Sequence, residues 1–148
     1  MMLAADRLAD LEAIRDLAMR FSQGLDREDA ELLRSVFWPD ATDDHGWLFQ
    51  GNAWEFVDKV LPRRERVRPT LHVVSNHRIE FEGDDVASGE VYGTGYQFRH
   101  ALPTPATRLV IGRYLDRYER RSGEWRIAHR QYLLEGTVTV PPAAQDEP

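Results

Sequence analysis

TLHVVSNHRIEFEGDDVASGEV, residues 70–91, is where the chain changes its period. Thr, Val, Ile and Phe stand before the turn and Val after it, the residue types that suit extended backbone. Glu82-Gly83-Asp84-Asp85 between them is a hairpin signal. The same grammar continues downstream, where Arg121-Ser122-Gly123 marks another turn and Leu102-Pro103-Thr104-Pro105 an interruption. Strands are expected at about 70–81, 86–100, 106–120 and 124–139. Short turns between long strands imply antiparallel pairing.

Upstream the period is helical. Leu8, Leu11, Ile14, Leu17, Ala18 and Phe21 recur at three- and four-residue steps, predicting a helix over 6–23 that stops at Gly24. Asp26 and Asp29 occupy cap-like positions before a second helix, with Leu32, Leu33, Val36 and Phe37 inward and Pro39 as its end. Residues 40–51 are polar and turn-rich, with a short strand at Trp47–Phe49. Asn52 is placed to cap a third helix, Ala53–Leu61, closed by Pro62. Helices first and strands after give an α+β domain, residues 1–140, with the helices over one sheet face. The Pro-rich, acidic stretch 141–148 reads as a disordered tail.

Composition narrows the class. The 148 residues suit one domain, and 42% hydrophobic with 30% charged residues is ordinary for a globular chain. No apolar run nears the roughly 20 residues that span a membrane, and the N-terminus lacks a signal-peptide core. The absence of cysteine excludes disulfides, thiol catalysis and cysteine-bound metal, and fits a cytoplasmic location. A net charge of −6 argues against nucleic-acid binding. Arg63, Arg64, Arg66 and Arg68, flanked by Pro62 and Pro69, read as a solvated connector, with anion or partner binding as the alternative.

Within this frame His72 is out of place in an apolar strand, where an imidazole needs a partner or a use. It shares parity with Val74 and Asn76, whereas Ile79 and Phe81 have the other parity. Alternation alone leaves the inward face open, and a bulge near Asn76 reconciles the two. His72 is either a satisfied structural histidine or a general base. Asp26 is either a helix cap or the carboxylate that orients His72. Arg130 has the opposite parity to Trp125, so a role in the pocket needs either a bulge or a pocket on that side. Tyr92, Tyr96, His45 and Trp47 complete the candidates for binding substrate or stabilising a leaving group or oxyanion. No HExxH spacing, phosphate loop or dinucleotide fingerprint is present, and Asp43, Asp44 and His45 are too close in sequence to converge on one ion. Neither metal nor cofactor is expected.

Three segments carry a family resemblance: ADLEAIRDLAMRFSQGLDREDAELLRSVFWPDA (9–41), the stretch 70–91, and GRYLDRYERRSGEWRIAHR (112–130). Over about residues 6–136 the chain resembles the SnoaL-like branch of the NTF2-like superfamily. That branch includes dehydratases of scytalone and of bile acids and a hexachlorocyclohexane dehydrochlorinase. The resemblance implies a cone-shaped α+β fold, a strongly curved mixed sheet closed by N-terminal helices, that forms a homodimer or homotrimer. It implies an Asp–His base at Asp26 and His72, puts Arg130 in the place of a pocket arginine, and puts Tyr96 near a second pocket histidine. The activity so implied is a cofactor-independent lyase of dehydratase type acting on a small cyclic or aromatic-like substrate. An isomerase or polyketide-type cyclase using the same base, and a noncatalytic binding or dimerisation module, remain its rivals.

Overall fold

The computed structural model describes residues 5–63, 69–98 and 106–142. Its elements run α1 (Ala5–Arg27), α2 (Ala30–Ser35), β1 (Phe37–Asp44), β2 (Gln50–Asn52), α3 (Ala53–Arg63), β3 (Thr70–Phe81), β4 (Val86–Phe98), β5 (Thr107–Arg121) and β6 (Glu124–Val140). The four long strands match their expected positions closely. Arg64, Arg66 and Arg68, and residues 143–148 of the expected tail, lie outside the described residues.

Helix α1 does not stop at Gly24. It continues because a side chain at Gly24 would meet Leu33 Cγ at 2.7 Å, so the glycine permits close approach of α2. The helix ends at Glu28, whose φ of 58° is left-handed. The Glu28 N–H bonds Leu25 O, and the Asp29 N–H bonds Gly24 O at 2.9 Å, a Schellman-type closure. The cap of α2 is Asp29, which accepts from Leu32 N at 2.9 Å. Asp26 therefore sits in the last turn of α1. Asn52 does cap α3, accepting from Trp54 N at 2.8 Å.

Strand β1 replaces what reads as the end of a helix, and the Trp47–Phe49 strand is displaced to β2. PDATDD has little strand preference, but Phe37, Ala41 and Asp43 are buried between neighbouring strands, and tertiary packing outweighs local propensity. Pro39 falls within the irregularity between Phe37 and Thr42, where it removes no ladder bond.

Among the described residues the six strands lie in the order β2-β1-β6-β5-β4-β3. Only β1 and β6 pair in parallel, so the sheet is mixed. The expected cone, a strongly curved sheet closed by helices, is corrected here: the sheet is open and is not strongly curved. Its edges, three-residue β2 and β3, pair only with β1 and β4, because β2 is too short and too distant in strand order to meet β3. Helical cover comes from α1 and from α3, which lies between strands in sequence.

Two bulges set which side chains face the helices. In β3 the register slips between Ser75 and Arg78, and Asn76 takes φ 52°. His72 and Val74 before it, and Ile79 and Phe81 after it, then face the same side. In β6 the slip beside Ala128 turns Arg130 to the side of Trp125 and Ile127. Ile14, Leu17 and Phe21 of α1 pack there against Phe37, Tyr118 and Ile127.

The β3 bulge also turns His77 inward. Its Nε2 lies 3.1 Å from the Tyr118 hydroxyl, which donates to Asp116 Oδ2 at 3.1 Å. Burial, opposed by the Asp116 charge, holds His77 below the ordinary histidine range. Unfolding therefore takes up a proton at mildly acidic pH. Stability is retained above the unfolded value near 6.5 and is lost as pH falls through the lower folded value. Urea midpoints from pH 7 to 5 should fall more steeply in wild type than in His77→Gln. Parallel curves would refute this linkage.

Candidate active site

The end of α1 delivers Asp26 to the first residues of β3. Asp26 Oδ1 is 2.6 Å from His72 Nδ1, and Oδ2 accepts the His72 backbone N–H at 2.9 Å. Thr70 Oγ1 donates to Oδ1 at 3.3 Å. A carboxylate on Nδ1 favours the neutral ring as its Nδ1–H tautomer, with the lone pair on Nε2. Space beside Nε2 exists because residue 95 is glycine: a Cβ there would stand 3.1 Å from Nε2 and 3.3 Å from Cδ2. Gly95→Ala should therefore push the ring aside and lower turnover by about tenfold or more, since small misplacements of a reacting group are costly. Kinetics beside a melting curve test this, and an unaltered rate in the folded variant would refute it.

His72 opens on a cavity of about 150 Å³ on the helix-covered face. Phe21 and Leu25 of α1 and Phe56 and Val60 of α3 form apolar walls, and β4 and β5 with Tyr114 and Tyr132 form the floor. The floor is low where glycines lie beneath rings. A Cβ on Gly93 would meet Tyr114 at 2.8 Å, and one on Gly112 would enter the Tyr132 ring. Burial pushes both phenols above their ordinary range, so they are neutral donors at neutral pH. A wider depression of about 410 Å³ on the other face, lined by Arg78, Glu80, Arg117 and His129, is open and charged and does not hold the Asp–His pair.

His45 also lines the cavity. Its ring is stacked on Phe56 at 4.2 Å and on Tyr132 at 4.9 Å, and its Nδ1 is hydrogen-bonded to Asp43. Gln97 is a lining residue that motif reading misses; its buried Oε1 has no hydrogen-bond partner. Only its shared parity with Gly93 and Gly95 could have revealed it.

The other candidates are placed elsewhere. Trp47 is 90% exposed. Tyr96 pairs with Leu71 and Leu109 and stacks on Phe98, and Tyr92 lies opposite Ser75 and Arg113; both occupy the outer face, because β4 alternates strictly and Gly93 and Gly95 take the inner positions. Arg130 is on the inner side but 1% exposed, below the cavity wall. Its Nε and Nη2 donate to Asp116 Oδ1 and Oδ2, each at 2.7 Å, and its guanidinium lies 4.3 Å from the ring centres of both Phe21 and Tyr114. Burial would lower its pKa, but Asp116 outweighs that and holds the charge firmly. Through its guanidinium Arg130 thus touches two residues that wall the cavity, Phe21 and Tyr114. Among the described residues, no three His, Asp or Glu are grouped to hold a metal ion, and no helix is long and apolar enough to cross a membrane.

An imidazole–carboxylate pair thus lines an apolar cavity between helices and a mixed sheet. The chain belongs to the SnoaL-like domain family, which matches residues 6–131. It is 28% identical over 131 residues to hexachlorocyclohexane dehydrochlorinase 1 of Sphingobium indicum, covering 83% of this chain and 80% of that one. It is 27% identical over 133 residues to the gamma-hexachlorocyclohexane dehydrochlorinase of the same species, with 84% and 80% covered. The crystal structure of hexachlorocyclohexane dehydrochlorinase LinA-type3 from Novosphingobium barchaimii LL02 superposes with a TM-score of 0.81 at 24% identity, covering 97% and 98% of the two chains. At the level of family the chain is therefore related to dehydrochlorinases, and its sequence carries no nucleotide- or metal-binding motif.

Proposed function

We propose that the protein is a cofactor-independent lyase. His72, oriented by Asp26, removes a proton from carbon, and a group on the neighbouring carbon departs. The observation that carries this reading is the Nδ1 contact of Asp26 at 2.6 Å, which leaves Nε2 as a base beside an apolar cavity. The Asp26 carboxylate also stabilises the imidazolium that develops on proton transfer. A cavity of about 150 Å³ has the size that accepts a single six-membered ring. The names of the curated relatives support elimination as the reaction type.

The test is product mass. Purified protein is incubated with γ-hexachlorocyclohexane and with cyclic β-hydroxy ketones, and products are weighed by mass spectrometry. Loss of hydrogen chloride or water is expected. A product of unchanged mass would replace this reading with isomerisation or ring closure. Binding without any conversion would leave a noncatalytic module.

A further inference from the structure

We propose that His45, held by Asp43, is the acid that protonates the departing group, and that substrates of this cavity lose a hydroxyl rather than a halide. The inference rests on the lyase reading above and specifies its substrate class.

Two imidazoles line one cavity, and each has its Nδ1 taken by a carboxylate: His72 by Asp26, His45 by Asp43. They come from opposite flanks of the sheet. His72 is on β3, His45 follows β1, and β4, β5 and β6 lie between them. A substrate on the floor therefore has one imidazole on each side. Asp43 is 1% exposed and its Oδ2 lacks a hydrogen-bond partner. Burying such a carboxylate is costly. A site that needed only an aromatic filler between Phe56 and Tyr132 would be met by phenylalanine without that cost. A carboxylate behind imidazole is useful when the ring must carry a proton and give it up.

Chloride leaves as a stable anion and needs no acid. Hydroxide is a poor leaving group, because its conjugate acid, water, is a very weak acid. Elimination of a hydroxyl thus needs a proton donor opposite the base. Tyr114 and Tyr132 are weakened as acids by burial. Gln97 has no proton to transfer, which leaves His45 among the polar residues that line the cavity.

The step balances as follows. His72 Nε2 takes the proton from carbon, and the C–H electron pair becomes the new double bond. The C–O bond on the adjacent carbon breaks with its pair on oxygen. The Nε2–H of His45 imidazolium supplies the proton that makes water. An alkene and water leave, His72 returns its proton to solvent, and His45 takes one up.

The test uses two probes on one ring, 3-hydroxycyclohexanone and 3-chlorocyclohexanone, both giving cyclohex-2-enone. His45→Gln should lower kcat/KM for the hydroxy ketone by about 10²-fold or more and lower that for the chloro ketone far less, so that the hydroxyl-to-chloride ratio falls. Retained chloride elimination also shows that the variant is folded. Asp43 is a positioning residue, so Asp43→Asn should shift the hydroxyl-to-chloride rate ratio in the same direction, whereas structural damage would lower both rates. His72→Ala should remove both activities. If it removes neither, the base reading fails; if it does but His45→Gln affects both probes alike or neither, only the present inference fails. Calorimetry in the His72→Ala background gives an arm free of turnover. That variant should bind 3-hydroxycyclohexanone about tenfold more tightly than cyclohexanone, and adding His45→Phe, which has no donor, should make the two equal. Equal affinity in His72→Ala, or no binding of either ketone, overturns the proposal.

Discussion

His72→Ala should lower kcat by about 10²–10⁴-fold, the usual worth of a positioned general base, while the melting curve stays close to wild type. The side chain is partly exposed at the cavity edge, so its removal opens little core. Asp26→Asn makes a sharper variant. The amide oxygen can still accept the backbone N–H of residue 72, but the NH2 group must then face Nδ1. That contact favours the tautomer with the proton on Nε2, turning the base into a donor. A loss approaching that of His72→Ala is expected. If Asp26→Asn retained full activity, the carboxylate would have no part in orienting the base.

Arg130→Met should cost about 3–5 kcal/mol of stability, a large fraction of what holds a domain of this size together. The change leaves Asp116 buried with its principal cation gone, and Asp116 is only 4% exposed. Phe21, Phe37 and Tyr114 also lose the guanidinium they enclose. The double variant Arg130→Met, Asp116→Leu should recover most of the loss, because desolvating the pair offsets much of its attraction. Urea unfolding of the two single variants and the double variant closes the cycle. A single-variant loss below about 1 kcal/mol would mean that the pair is far better solvated than its burial indicates.

Residues 70–140 are legible because alternation and turn residues agree with their tertiary surroundings. Even the Asn76 bulge follows from a parity conflict within β3. Strand β1 is hidden because its burial is supplied by β2 and β6, distant in sequence, and not by its own residue types. The sheet's open edges are equally silent, since strand order is not written in any local pattern. At the site, His72 and Asp26 stand out as residues with expensive or ambiguous local explanations. The end of α1 at Glu28 assigns the cap to Asp29 and leaves Asp26 to His72. Tyr92 and Tyr96 lie on the outer face, which residue type alone does not reveal, although the glycines between them mark the opposite face as the one cleared of side chains. Asp43 resembles a fragment of a metal site until its burial beside His45 is seen.

That cleared surface bears on how the protein could diverge. Gly93, Gly95 and Gly112 accommodate Tyr114, His72 and Tyr132 by the carbon atoms they lack. Most pockets change their fit by trading one side chain for another, with both shapes to be packed. Here a one-base codon change from glycine to alanine adds a single methyl to a backbone floor and alters the fit in one step. Such a floor is a short mutational path between ring sizes, and also a point of fragility, since at Gly95 the same methyl that would trim the substrate presses on the base.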